Sequence, residues 1–374
     1  MSQDIRDFVA PSCDLLAFGE PTHQEPAFAL VRNELFARLA DHGFRSIALE
    51  TDRVAALTVN DYVQEGVGTF DAAMSEGFSH GFGDLAGNRQ LVVWMREYNK
   101  SRPVEELLAF HGFDASTEMM SAPSPRRYLE HARDYLGIDV DLPVGDDEQW
   151  SRTEAIMDPA ESVGATAAAE RLRSIADDML TTLYARAPGL IAATSHALWF
   201  RAKTHLTAGL GLLRYHKQSA QGVDQSERIS RLSATRDALM AQNLLDIVDL
   251  ERGPTLVFAH NSHLQRNRSE WSLAELELNW FSAGAIVDSL LGERYGFVAG
   301  SLGRSEAIGL QEPEPDTYEG LLQRDIATWG LVKEVAPART RTDPTPRQGY
   351  FPLDKEILDV TDAVLHIHAG TTVE

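Results

Sequence analysis

The sequence predicts an α/β protein: a mostly parallel sheet flanked by helices, with a large all-helical insertion. Three observations predict it. Short apolar runs alternate with helical patterns over the first 120 residues, as βαβ units require. No convincing strand pattern occurs from Pro159 to about Leu250. Strand patterns then resume at Thr255. The expected organisation is an α/β core formed by residues 1–120 and 251–374, with residues 121–250 as a helical insertion or lid region.

The elements follow in order. Residues 13–18 form an apolar run that breaks at Gly19 and read as a first buried strand. Phe28, Val31, Leu35, Phe36 and Leu39 recur at helical spacing, and Gly43 closes that helix. Residues 45–50 read as a second buried strand ending in Glu50, followed by helical patterns over 53–65 and 88–99. Residues 107–111 read as a third strand, with Gly112-Phe113-Asp114 as its turn. In the middle, 126–136, 165–183, 190–213 and 226–250 are helical in period. Gly253-Pro254 ends the insertion, and 255–259 is a fourth buried strand running into His260-Asn261-Ser262-His263. Residues 295–300 and 363–367 read as later strands. Between them, the polar stretch 337–352 with Arg339, Arg341 and Arg347 is either a cover for a site or a solvated connection.

Composition narrows the function classes. A chain of 374 residues buries a sizeable core without difficulty. Its 34 Lys plus Arg against 56 Asp plus Glu give a net charge of −22. That argues against nucleic acid, whose binding requires neutralised phosphates, and against an anionic membrane surface. One cysteine, Cys13, excludes an intrachain disulfide and a multi-cysteine metal site, and reads as a buried, inert thiol. The first residues have neither a basic nor an apolar leader pattern, and no apolar segment approaches the roughly 20 residues of a spanning helix. The expectation is a cytoplasmic protein with a small-molecule substrate. Its oligomeric state is not legible.

The chemistry sits where strands end. In open parallel sheets, ligands bind beyond the carboxyl ends of the strands, so residues remote in sequence meet in one crevice. Three apolar strands here end in ionisable residues: Glu20 with His23, Glu50, and His260 with His263. Asn261 lies between the two late histidines, and Asp114 follows the third strand at the same edge. Each also has a structural reading. Glu20 can cap the following helix, and His23 can be an exposed first-turn residue. His260 and His263 can be satisfied core histidines, and Arg53 can either pair with Glu50 or cap its own turn. A carboxylate ending an apolar strand, as Glu50 does, needs a partner. Together, two carboxylates and three imidazoles suit general acid–base catalysis. They equally suit a divalent metal. His80, His196, His205 and His216 show no carboxylate partner in the pattern.

These residues carry a family resemblance. Gly19-Glu20-Pro21-Thr22-His23, Leu49-Glu50, Val93-Trp94-Met95-Arg96-Glu97-Tyr98-Asn99, His111-Gly112-Phe113-Asp114 and Ala259-His260-Asn261-Ser262-His263 together resemble the erythromycin esterase family. The likeness spans nearly the whole chain. It implies a metal-independent hydrolase that opens macrolide lactones, an antibiotic-resistance activity. By the same resemblance, His23 matches the general base, Glu20 and Glu50 its carboxylates, and His260 and His263 the late histidine pair. Arg32 matches an active-site arginine. Pro21 and Gln24 depart from the residues common in resistance enzymes.

The expected reaction is ester or macrolactone cleavage by water that His23 activates. Glu20 or Glu50 orients the imidazole, and Arg32, His260 or His263 stabilises the oxyanion. Arg53, Asn261 and Asp114 are the further expected substrate contacts. No Gly-x-Ser-x-Gly elbow is present for a serine nucleophile, and no cofactor is expected. The alternatives are a metal-dependent hydrolase of another ester, phosphoester or amide, and a non-catalytic biosynthetic accessory protein.

Overall fold

The computed structural model describes residues 4–371, apart from 9, 119, 252, 274 and 275. Met1, Ser2 and Gln3, part of the stretch read for a leader, lie outside the described residues. Nine strands are described: β1 (Leu15–Glu20), β2 (Ser46–Asp52), β3 (Ala109–Asp114), β4 (Thr255–His260), β5 (Arg268–Leu273), β6 (Leu276–Phe281), β7 (Tyr295–Arg304), β8 (Trp329–Val332) and β9 (Ala363–Ala369). Seven of them form one sheet in the order β3-β2-β4-β1-β7-β9-β8. Its neighbours run parallel except β8, which is antiparallel to β9. β5 and β6 form a separate antiparallel hairpin. The sheet is thus mostly parallel, as the alternating pattern predicts. The hairpin and β8 were not anticipated.

β1 is buried on both faces because each face of the sheet carries its own core. Leu16 and Phe18 point into one apolar cluster with Phe28, Leu35, Val59, Leu91 and Val92. The alternate residues Leu15 and Ala17 point into the other, with Met240, Leu244, Ile247 and Val287. Helices Pro26–Ala40, Ala56–Glu65 and Ala86–Asn99 cover the first face, and Gln225–Leu250 and Ala283–Leu291 cover the second. This period-two burial explains why the central strands read as continuous apolar runs rather than alternating ones. A third cluster, around Leu129, Leu172, Leu206 and Leu210, is built from helices Arg126–Leu136, Ala167–Ala185 and His196–Ser219. Among the described residues no helix is long and apolar enough to cross a membrane.

Two local features shape the sheet edge. The β2–β3 register runs Leu49↔Gly112 and then Asp52↔Asp114, so β2 carries one extra residue at Glu50-Thr51. Such a bulge bends a strand and re-aims its side chains. Gly112 permits it: a Cβ there would lie 2.4 Å from the Thr51 carbonyl oxygen. On the other side of the sheet, β1 pairs with β7 only as far as Phe18↔Val298, while β1 and β4 stay paired through Glu20↔His260. Gly300 is therefore left without a β1 partner. Asn261 fills that place, donating from Nδ2 to the Gly300 carbonyl at 2.9 Å and accepting the Gly300 N–H at 3.0 Å.

Candidate active site

The strand order brings the carboxyl ends of four neighbouring strands together, carrying Asp114, Glu50, His260 and Glu20 in turn. His23 follows β1 in a turn just before the first long helix. That helix is capped by Glu25, whose Oε1 accepts the Ala27 N–H, so Glu20 does not serve as its cap. Glu20 instead holds His23: Oε1 lies 2.8 Å from Nδ1. The other ring nitrogen, Nε2, faces Glu50 Oε1 at 3.7 Å. Both carboxylates are buried, whereas 34% of the His23 side chain is open to solvent.

Charge decides the state of these groups. Burial opposes a charged His23, but the Glu50 charge and the Glu20 hydrogen bond outweigh it and raise the imidazole to about 9. Burial pushes Glu20 upward, against the bond from His23. Glu50 is also buried. Even so, the cations at His263, His23 and Arg236, with the His260 N–H on Oε2 at 2.9 Å, hold its carboxyl well below the usual carboxylate range. His260 behaves oppositely: burial, with the neighbouring His23 cation, pushes it down to about 3, so it stays neutral. Its Nδ1 accepts the Ser262 N–H at 3.2 Å, which assigns the ring proton to Nε2. The His260 and His23 rings lie 5.2 Å apart.

His263 sits behind this pair on a single helical turn, Asn261–Leu264. Asp237 binds its Nδ1 at 2.9 Å, leaving Nε2 3.5 Å from Glu50. Burial works against its charge, but Asp237 and Glu50 raise its pKa. Asp237 is itself fixed by the Trp280 indole N–H at 2.8 Å and the Ala283 N–H at 2.7 Å. Its neighbour Arg236 clamps two strand ends. It gives Asp114 a bidentate pair at 2.9 and 2.7 Å and reaches Glu50 at 3.1 Å. Asp114 also accepts His80 at 3.0 Å, and the other nitrogen of His80 meets Glu118 at 2.7 Å.

Of the residues expected at the site, the structure therefore brings together Glu20, His23, Glu50, His260, His263 and Asp114. Three others stand apart. Arg32 is buried, and its donors go to Asn33, Asn88 and the Gly87 carbonyl. Arg53 does not meet Glu50. It binds His111 Nδ1 at 2.9 Å. Asn261 spends both ends of its amide on Gly300, as described above. Leaving the two Gly300 backbone groups buried and unpaired costs about 1–3 kcal/mol each. Asn261→Ala is therefore expected to lose about 3 kcal/mol in denaturant unfolding.

Sequence reading missed three participants, Arg236, Asp237 and His80. Asp237 did leave a signal, since it lies on the same helical stripe as Met240, Ala241 and Leu244, all buried. His80 had no carboxylate in view along the sequence, yet it pairs with two. It is also the one described non-glycine residue with positive φ, at 56°, a strained conformation of the kind found at functional sites. The loop 337–352 contributes an unanticipated contact: Phe351 packs edge-on against His260 at 4.7 Å, and its N–H binds the Pro21 carbonyl. Arg341 in the same loop is buried on the Gly303 carbonyl and Asp343 rather than at the site.

Among the described residues no three His, Cys, Asp or Glu side chains are arranged to hold a metal ion. The Arg236 guanidinium lies between Glu50 and Asp114 and pairs with both.

Comparison with known proteins agrees with this architecture. A protein from Bacillus cereus matches over 98% of this chain and 90% of its own, with 15% identity and a TM-score of 0.71. A succinoglycan biosynthesis protein matches over 98% and 90%, with 14% identity and a TM-score of 0.68. A histidine-to-asparagine mutant of the erythromycin esterase EreC, in its open conformation, matches over 97% and 92%, with 18% identity and a TM-score of 0.66. At these identities the likeness establishes a shared fold. Curated protein sequences give no significant match. The family model for erythromycin esterase matches residues 39–371, and the chain belongs to the erythromycin esterase family.

Proposed function

We propose that the protein hydrolyses a small-molecule carboxylic ester or macrolactone, with water activated by His23. The observation that carries this reading is the clamped imidazole. Glu20 fixes Nδ1, Nε2 stands 3.7 Å from Glu50, and a third of the side chain is open to solvent. Once deprotonated, Nε2 accepts a proton from water, and the Glu50 charge stabilises the imidazolium that forms. The attack places negative charge on the carbonyl oxygen. The cationic edge of Arg236 is the donor available for it, whereas the Nε2 proton of neutral His260 is held by the Pro21 carbonyl. Arg32 commits four of its five N–H donors to Asn33, Asn88 and the Gly87 carbonyl. Phe82, 5.3 Å from the His23 ring, and Phe351 give the two imidazoles apolar flanks, which suits an apolar substrate body.

The test is a panel of macrolactones and simple esters incubated with wild-type and His23→Asn protein, read by mass. Addition of one water by the wild type alone is the expected result, unchanged by a chelator such as EDTA. Equal hydrolysis by both proteins removes His23 from the mechanism. Activity abolished by chelator and restored by zinc or manganese favours a metal-dependent reaction instead.

A further inference from the structure

Aromatic rings run through the site in an unbroken series. Ring centres lie 5.3 Å apart from Phe82 to His23 and 5.2 Å from His23 to His260. The series continues at 4.7 Å from His260 to Phe351 and 6.5 Å from Phe351 to Trp271. Each spacing is one at which aromatic rings interact. The His23 imidazole thus lies within a strip of rings, and Trp271 ends it. Phe351 is fixed in the strip through its backbone: its N–H and the His260 ring both bind the Pro21 carbonyl.

Trp271 comes from the β5–β6 hairpin, which contributes none of the acids or histidines of the site. Residues directly opposite each other in an antiparallel pair share a face, as do residues two apart on one strand. Trp271 lies opposite Leu278, and Ser269 lies opposite Trp280. These four side chains therefore share one face of the hairpin. Ser269, Leu278 and Trp280 are buried, and the Trp280 indole binds Asp237 on helix Gln225–Leu250. Trp271 shares this inward face, yet 37% of it is open to solvent. An inward-facing tryptophan that the core leaves uncovered stands at an opening, and here its ring neighbour is Phe351, beside His260. Phe281 is on the opposite face, more exposed, with Arg268 over its ring.

We propose that Trp271 is a specificity-determining residue, a stacking platform for the apolar body of the ester whose carbonyl His23 attacks. The proposal rests on the hydrolase reading of His23. Tryptophan offers a large, rigid apolar surface. With Phe351 it makes a wall of two neutral rings beyond His260, which selects an uncharged, extended substrate body over a small one. Contacts so far from the reacting carbonyl hold substrate and transition state alike, so their loss appears in KM rather than in kcat.

Hydrolysis of butyl butyrate and methyl acetate, followed by titration of the acid released, tests it. Butyl butyrate extends on both sides of its carbonyl, so either orientation reaches the wall. Trp271→Ala is expected to lower the kcat/KM ratio of butyl butyrate to methyl acetate about tenfold, through KM, as lost apolar burial requires. Trp271→Phe keeps a ring and is expected to restore most of that ratio, and Phe281→Ala is expected to keep all of it. An unchanged ratio in Trp271→Ala, or an equal loss in Phe281→Ala, would overturn the proposal. Fluorine NMR of fluorotryptophan-labelled protein reads the wall without chemistry. The resonance missing from Trp271→Phe belongs to Trp271, and it is expected to shift saturably with dibutyl ketone but not with acetone. No saturable shift would overturn the proposal even in an active esterase. A saturable shift in a protein that hydrolyses neither ester would support the wall and count against the hydrolase reading alone.

Discussion

His23→Ala lowers kcat by about 10²–10⁴-fold, the usual contribution of a positioned general base, in a protein that still folds but is less stable, because buried Glu20 loses its partner. The side chain is a third open to solvent and packs mainly against Phe82 and His260, so its removal opens no core cavity. The loss falls on the proton transfer, because none of its neighbours can replace it. His260 is too weakly basic, because burial, the largest cause of its lowered pKa, persists in the variant. His263 is closed behind Asp237, Glu50 and Arg236. Steady-state kinetics on the best ester of the panel, with thermal unfolding of the same preparations, checks both parts. A residual activity within threefold of wild type would assign the base elsewhere.

Arg236→Ala has the largest expected effect on stability. Asp114 is fully buried and Glu50 is 5% exposed, and both use this guanidinium as their cation. Removing one partner of a buried pair leaves uncompensated charge and costs about 3–5 kcal/mol. The lower end is expected, because about a quarter of the Arg236 side chain reaches solvent and His80 still meets Asp114. The double variant Arg236→Met with Asp114→Asn removes a charge from each side. It is expected to be more stable than Arg236→Ala alone, the non-additivity that coupled neighbours show. Urea unfolding of the three proteins measures this. Equal stabilities of wild type and Arg236→Ala would show that the carboxylates do not depend on the clamp.

Much of this was legible because the physics is local. Apolar runs such as Leu256-Val257-Phe258-Ala259 announce strands buried on both faces. Parallel strands then place their carboxyl ends at one edge, which is enough to gather Glu20, Glu50, His260 and Asp114 without knowing the strand order. The order itself, with β4 between β1 and β2, was not legible, since nothing in an apolar run names its neighbour. It decides that Glu20 stands beside His260. Arg236 looked like one more charge on a long helix, and only the packing of that helix against β3 turns it toward Asp114. Arg53 showed the reverse. Its closeness to Glu50 in sequence suggested a pair, but the bulge at Glu50-Thr51 separates their directions and sends Arg53 to His111. The hairpin carried a period-two signal in Leu276, Leu278 and Trp280, hidden among longer helical patterns. β8 has only four residues, too few for a periodicity.

The raised pKa of His23 also links activity to stability. Its folded-state value, about 9, lies above the ordinary 6.5. The stabilisation from this charged pairing is therefore complete below about pH 6.5 and is lost as pH rises through about 9. Activity runs the other way, because only the neutral imidazole accepts a proton.

The pH dependence of kcat/KM for wild type and Glu50→Gln tests the central claim most directly. If His23 is the base and Glu50 holds up its pKa, the wild-type rate climbs with pH to a limb near 9. In Glu50→Gln the loss of that charge moves the limb to lower pH, towards the ordinary histidine value. A limb at the same pH in both proteins, or a wild-type limb below 6.5, would contradict the account.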